Sequence, residues 1–233
     1  MTNLTSELPP GVKSDLGLAT LFFAQMDMHD GVREDLGRND GYRIRQYAKA
    51  FGLKPPINWC SVSVSAWLRN ASKLCGIESP VAGSPAARGI EGQFIEAGLF
   101  VPKNKLTEDV LVAGNIPIWW RGKSIEDWPG HIGVIESFDG INMQVVEANS
   151  GPMGNEVARM SRSIMAPKFL GVGVLRGQRI RHEFHEPTDA ELERAGQLVR
   201  LERELLLYGE PDDPLADLNA RLEREGFDDG AAE

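Results

Sequence analysis

Asn58-Trp59-Cys60-Ser61-Val62-Ser63-Val64-Ser65-Ala66-Trp67-Leu68-Arg69-Asn70-Ala71-Ser72-Lys73-Leu74-Cys75 (residues 58–75) is the stretch whose reading decides the fold. Its first part alternates serine and valine, the period of a half-buried strand. Over the whole length, however, Val64, Trp67, Leu68, Ala71, Leu74 and Cys75 recur at helical spacing, and the longer pattern predicts a helix that Gly76 ends. Asn58 is a good N-cap residue, and Pro55-Pro56 force an extended approach to it. The reading puts Cys60 at the mouth of a helix. A cysteine attacks as its thiolate, and both the positive end of a helix and a nearby imidazolium favour that form.

The second cysteine is no disulfide partner. Fifteen helical positions at about 1.5 Å rise put Cys75 roughly 22 Å from Cys60, against a Cα separation of about 7 Å or less in a disulfide. Cys75 reads instead as a small buried core residue. Free thiols, together with an N-terminus that lacks a basic start and apolar centre, fit synthesis in a reducing cytoplasm without a signal peptide. No apolar run is long enough for a membrane span.

The net charge of -9 over 233 residues is unevenly placed. Residues 183–233 carry 16 Asp/Glu against 5 Arg, leaving 18 acidic and 20 basic residues before them. Neither part has the basic stripe that nucleic-acid binding needs. Residues 1–14 read as a flexible arm, 15–182 as the domain that carries Cys60, and 183–233 as an acidic helical extension with a disordered end. An acidic helix suits a solvated face or docking on a protein partner, and is ill suited to a polyanionic surface.

Within the domain, helices are expected from Asp15 to about Met28, over 42–51, from the Cys60 mouth to Cys75, and over 85–97 with Ser84 as cap and Pro85 at the first position. Strands follow over 115–120, 131–138, 141–149 and 169–175. Helices first and strands afterwards is the α+β pattern, with N-terminal helices packed on an antiparallel sheet.

Four histidines can serve Cys60. His29 lies in a helix beside Asp27 and Asp30 and reads as part of a solvated face. His182 and His185 lack the further ligands of a metal site, so no metal is expected there or elsewhere. His131 is best placed, opening the apolar strand Ile132-Gly133-Val134-Ile135 after Trp128-Pro129-Gly130. If Phe138-Asp139-Gly140 is a three-residue hairpin loop, Ser137 faces Ile141 and His131 falls opposite Glu147. Glu147 then accepts the other ring N–H and orients the base. A two-residue turn shifts the register by one and turns Glu147 away. Asn149 shares the face and can serve that role or line the site.

Several pieces together resemble CHAP domains, the cysteine- and histidine-dependent amidohydrolase/peptidases of the papain-like superfamily. They are Gly37-Arg38-Asn39-Asp40-Gly41 with Tyr47, then Asn58-Trp59-Cys60 with Trp67, then Ser84-Pro85-Ala86-Ala87-Arg88, then Gly130-His131-Ile132-Gly133-Val134 and Val146-Glu147-Ala148-Asn149-Ser150-Gly151. The likeness runs from about Glu34 to Leu175. It implies a papain-like fold with Cys60 as nucleophile, His131 as base, Glu147 as orienter and Asn149 lining the site. Trp59 and Trp128, beside the nucleophile and just before the base, are candidates to line it as well. The activity implied is hydrolysis of an amide in peptidoglycan, as amidase or endopeptidase, by phage lysins and bacterial wall enzymes, with no cofactor. Such an enzyme acts at the cell wall after release, or as part of a virion or injection system. Gly114-Asn115, where the family often has Gly-Asp, and the insertion from Arg121 to Trp128 depart from the family pattern and bear on the substrate. A papain-like peptidase acting on another amide, and a non-catalytic component of a phage particle or delivery machine, are the alternatives.

Overall fold

A computed structural model describes residues 11–176, apart from 36 and 126. Residues 1–10 of the expected arm, His182, His185 and the acidic stretch 183–233 lie outside the described residues. The architecture is α+β. Among the described residues four helices come first, α1 (Leu16–His29), α2 (Tyr42–Lys49), α3 (Cys60–Cys75) and α4 (Ala87–Glu96). Seven strands follow: β1 (Phe100–Pro102), β2 (Ile116–Trp120), β3 (Gly130–Ile132), β4 (Val134–Phe138), β5 (Asn142–Ser150), β6 (Glu156–Ser163) and β7 (Phe169–Gly173). They form two antiparallel sheets in the orders β1-β7-β2-β3 and β4-β5-β6.

Asp15 starts α1 by accepting the Leu18 N–H at 3.0 Å, as its position predicts. Order begins before it: Val12–Ser14 form a 3-10 turn, and buried Val12 accepts the Cys75 thiol at 3.3 Å. These residues therefore do not belong to a loose arm. His29 is exposed beside Asp30, but Asp27 departs from the expected solvated face. It is buried, accepting the Tyr47 hydroxyl at 2.5 Å and Trp67 Nε1 at 2.7 Å, with Arg43 Nε at 3.6 Å. Burial pushes this carboxyl's pKa up against the opposing pull of those three partners. The node ties α1, α2 and α3 together.

Helix α3 resolves the Ser-Val alternation. Every residue from Cys60 to Leu68 is buried, so no face of its first turns is solvated and alternation carries no information about exposure. Two of the three serines find acceptors: Ser61 Oγ donates to the Ser84 carbonyl at 2.8 Å and Ser65 Oγ to the Ser61 carbonyl at 2.8 Å, while Ser63 Oγ has no partner among the described residues. Ser84 is thereby committed to α3, and its own hydroxyl accepts the Ala86 N–H at 3.2 Å in a local turn. For this reason α4 starts at Ala87, two residues later than expected, with Ala86 and not Ser84 at its N-cap. Asn58 is likewise not the cap of α3; Trp59 occupies that position without a side-chain cap.

The hairpin between β4 and β5 corrects the expected register. Phe138 pairs with Met143 and Ser137 with Gln144, so the connection spans four residues, with Asp139 Oδ1 accepting the Ile141 and Asn142 N–H groups. That is three positions away from the expected pairing, an odd shift that reverses the faces. A bulge between Ile135 and Ser137 takes up one residue, after which Ile135 pairs with Val145 and Val134 with Val146. The net shift is two, and Glu147 returns to the face expected for it. The strand expected over 131–138 is also two strands. At Gly133 the chain leaves the first sheet, where His131 pairs with Trp119, and enters the second.

Gly133 permits this crossing by close approach. A Cβ there would lie 2.5 Å from Val145 Cγ1 and 2.8 Å from both Glu147 Cγ and the Val146 carbonyl. Gly133→Ala is expected to lower the unfolding free energy by about 1–3 kcal/mol through overpacking. Urea denaturation measures it, and an unchanged midpoint would show that the crossing has slack.

Candidate active site

Cys60 is the first residue of α3, so its backbone N–H has no acceptor within the helix. Trp59 is held just before it by Nε1 donating to Glu34 Oε1 at 3.1 Å, while Glu34 Oε2 accepts the Asn39 N–H at 2.8 Å. Trp59 is completely buried and supports the helix mouth; it does not line a substrate surface as the sequence suggested. Cys60 itself is 4% exposed.

His131 is brought to Cys60 by β3, and its ring lies against Trp119, centroids 6.1 Å apart. Its Nε2 bonds Glu147 Oε2 at 2.7 Å, with both side chains buried. With Nε2 occupied, Nδ1 is the nitrogen left for the Cys60 thiol. Nδ1 has no hydrogen-bond partner among the described residues, although Cys60 is near enough to raise the ring's pKa. Burial pulls the imidazole's pKa down, but Cys60 and Glu147 together outweigh it and the net direction is up.

Glu147 has no exposed surface. Its Oε2 accepts from His131, from Ser150 Oγ at 2.9 Å and from Arg162 Nη2 at 2.6 Å, while Oε1 accepts Arg162 Nε at 2.7 Å. The Arg162 pairing is bidentate, the strong form of such a bond. Burial raises a carboxyl's pKa, yet Arg162 and His131 reverse that and hold Glu147 at about 2, down from 4.5. An ionised Glu147 fixes the His131 tautomer with Nε2–H as donor.

Asn149 does not touch the His131 ring. A positive φ of 55° and a register shift between Glu147 and Ser150 take it out of the strand alternation. It lines an open cavity of about 640 Å³ together with Glu34, Asn39, Asn58, Arg121 and Arg162. Neither Cys60 nor His131 lines that cavity; it meets the group through Ser150 and Arg162, which bond Glu147, and Asn58 stands two residues before Cys60. Trp128 is 66% exposed on the loop before β3 and is not among the cavity's residues.

Arg162 and Ser150 are the residues that the sequence did not reveal. Arg162 sits on β6, a polar strand in which Val157 alone is fully buried, so no apolar pattern marks it. It lies opposite Met143 and reaches back over the Trp119 ring, 5.8 Å from the centroid, to the face shared with Glu147. No side-chain cluster suited to a metal occurs among the described residues, and no described helix is long and apolar enough to cross a membrane. Comparisons of the chain with protein-family models, with curated proteins and with solved structures find no match.

The depressed pKa of Glu147 is a stability statement. A group whose folded pKa lies below its unfolded one stabilises fully above the unfolded value, and that stability is lost as pH falls. Glu147 is expected to contribute about 3 kcal/mol above pH 4.5, lost progressively as pH falls through about 2. Unfolding free energies of the native chain and Glu147→Gln over this range check it. Equal acid slopes would contradict the ionised, bonded carboxylate.

Proposed function

We propose that the protein is a cysteine amidohydrolase/peptidase working through an acyl-enzyme. The observation that carries this reading is the buried imidazole of His131 between Glu147 and the Cys60 thiol, at the first residue of a helix. The thiol gives its proton to Nδ1 and the sulfur attacks the carbonyl carbon of the amide. The Cys60 N–H, unpaired within the helix, helps hold the oxyanion. Nδ1–H then protonates the departing amine, leaving a thioester on Cys60. Water, deprotonated by Nδ1, attacks the thioester; the acid is released and the thiol returns. Glu147 stays ionised throughout, keeping Nε2–H in place and stabilising the imidazolium.

A nucleophile-bearing helix packed on antiparallel strands that carry base and orienter supports a papain-like fold. Peptidoglycan as substrate rests on the resemblance to CHAP domains. Action at the cell wall, after release or from a virion or injection machine, follows from that substrate. The near-complete burial of Cys60 favours a second reading, a non-catalytic component that retains the fold.

Incubation with purified peptidoglycan separates the two. The native chain is expected to release fragments detectable by mass spectrometry, and Cys60→Ala and His131→Ala to release none above background. Absence of any Cys60-dependent fragment, here and from general amide substrates, would leave the non-catalytic reading standing.

A further inference from the structure

The cavity beside the candidate triad has a chemical character that the hydrolytic reading does not use. Its one carboxylate, Glu34, is buried with both oxygens engaged, one by the Asn39 N–H and the other by Trp59 Nε1. What the walls offer a ligand is therefore mainly donors. Arg121 is exposed at the end of β2, and no carboxylate partner for it occurs among the described residues. Arg162 gives Nε and Nη2 to Glu147 and also lines the cavity, its side chain 32% exposed. The amides of Asn39, Asn58 and Asn149 add neutral hydrogen-bonding groups.

We propose that this cavity is a recognition site for a free carboxylate on the peptide that flanks the cleaved amide, with Arg121 as its principal contact. A guanidinium presents paired N–H donors that match a planar carboxylate. The Glu147 bond neutralises much of the Arg162 charge, which leaves Arg121 as the cavity's cation without a carboxylate partner among the described residues. Asn58, two residues before Cys60, lines the same cavity, as do Ser150 and Arg162, which bond Glu147. The site rests on the hydrolytic reading for the nature of the substrate, but its chemistry is tested separately.

The test is calorimetric binding to the full chain carrying Cys60→Ala, so that nothing is turned over. The probes are a purified muropeptide with free stem carboxylates and the same muropeptide with them amidated. Binding of the free-carboxylate form is expected to exceed that of the amidated form by about tenfold. Adding Arg121→Ala should abolish that preference, and Arg121→Lys should restore part of it. Circular dichroism confirms that each variant is folded. Equal binding of the two probes, or a preference that survives Arg121→Ala, overturns the proposal. Failure of the hydrolytic reading is distinguishable: the native chain would then cleave neither probe, while the Arg121-dependent preference in binding would persist. Cleavage without that preference would remove the carboxylate site alone.

Discussion

A carboxylate with no exposed surface is the constraint on which the rest of this structure depends. Removing Glu147 from water costs several kcal/mol unless its lone pairs are taken up by fixed donors, and breaking a buried pair of this kind typically costs about 3–5 kcal/mol. Three side chains from three places meet that demand: His131 from β3, Ser150 at the end of β5 and Arg162 from β6. His131 is held by one sheet, Ser150 and Arg162 by the other. The two sheets are thereby coupled at one charged atom, Glu147 Oε2, as well as through Gly133.

The same coupling sets the chemistry available at Cys60. An imidazole buried alone would lose its proton readily, because desolvation disfavours the cation. Set between Glu147 and the thiol, the ring moves the other way. Arg162 acts through Glu147: by holding the carboxylate ionised it keeps Nε2–H a donor and leaves Nδ1 for the sulfur. The Trp119 ring lies against both the His131 ring and the Arg162 guanidinium and walls the ion pair from water.

The helix mouth is built on the other side by a different device. Trp59 stands where a capping side chain is expected, anchored by Glu34, which also fixes the loop at Asn39. An uncapped first turn leaves N–H groups available, and Cys60 is the residue placed there. The loop, the helix mouth and the β5–β6 end together line one polar cavity. In the proposed reaction, recognition and bond cleavage therefore share supports, with Arg162 and Ser150 belonging to both.

The α+β order, the helix beginning at Cys60, the burial of Cys75 and the choice of His131 with Glu147 were legible in the sequence alone. Each rests on local periodicity, on a glycine stop or on the chemistry of one residue type. The register that brings His131 and Glu147 together was not legible. A four-residue connection would have reversed the face of Glu147, and a single bulged residue restored it, which is a property of cross-strand hydrogen bonding and leaves no trace in alternation. Strand β6 stayed hidden because its residues are largely polar, so its contribution, Arg162, was hidden with it. The roles of Trp59 and Asn149 changed for a related reason: burial and a left-handed backbone decide where a side chain points, and neighbours distant in sequence decide both. The sequence by itself thus determined which groups are the candidates for the proposed reaction. Only the tertiary structure decided which charges had to be paired for those groups to be buried together.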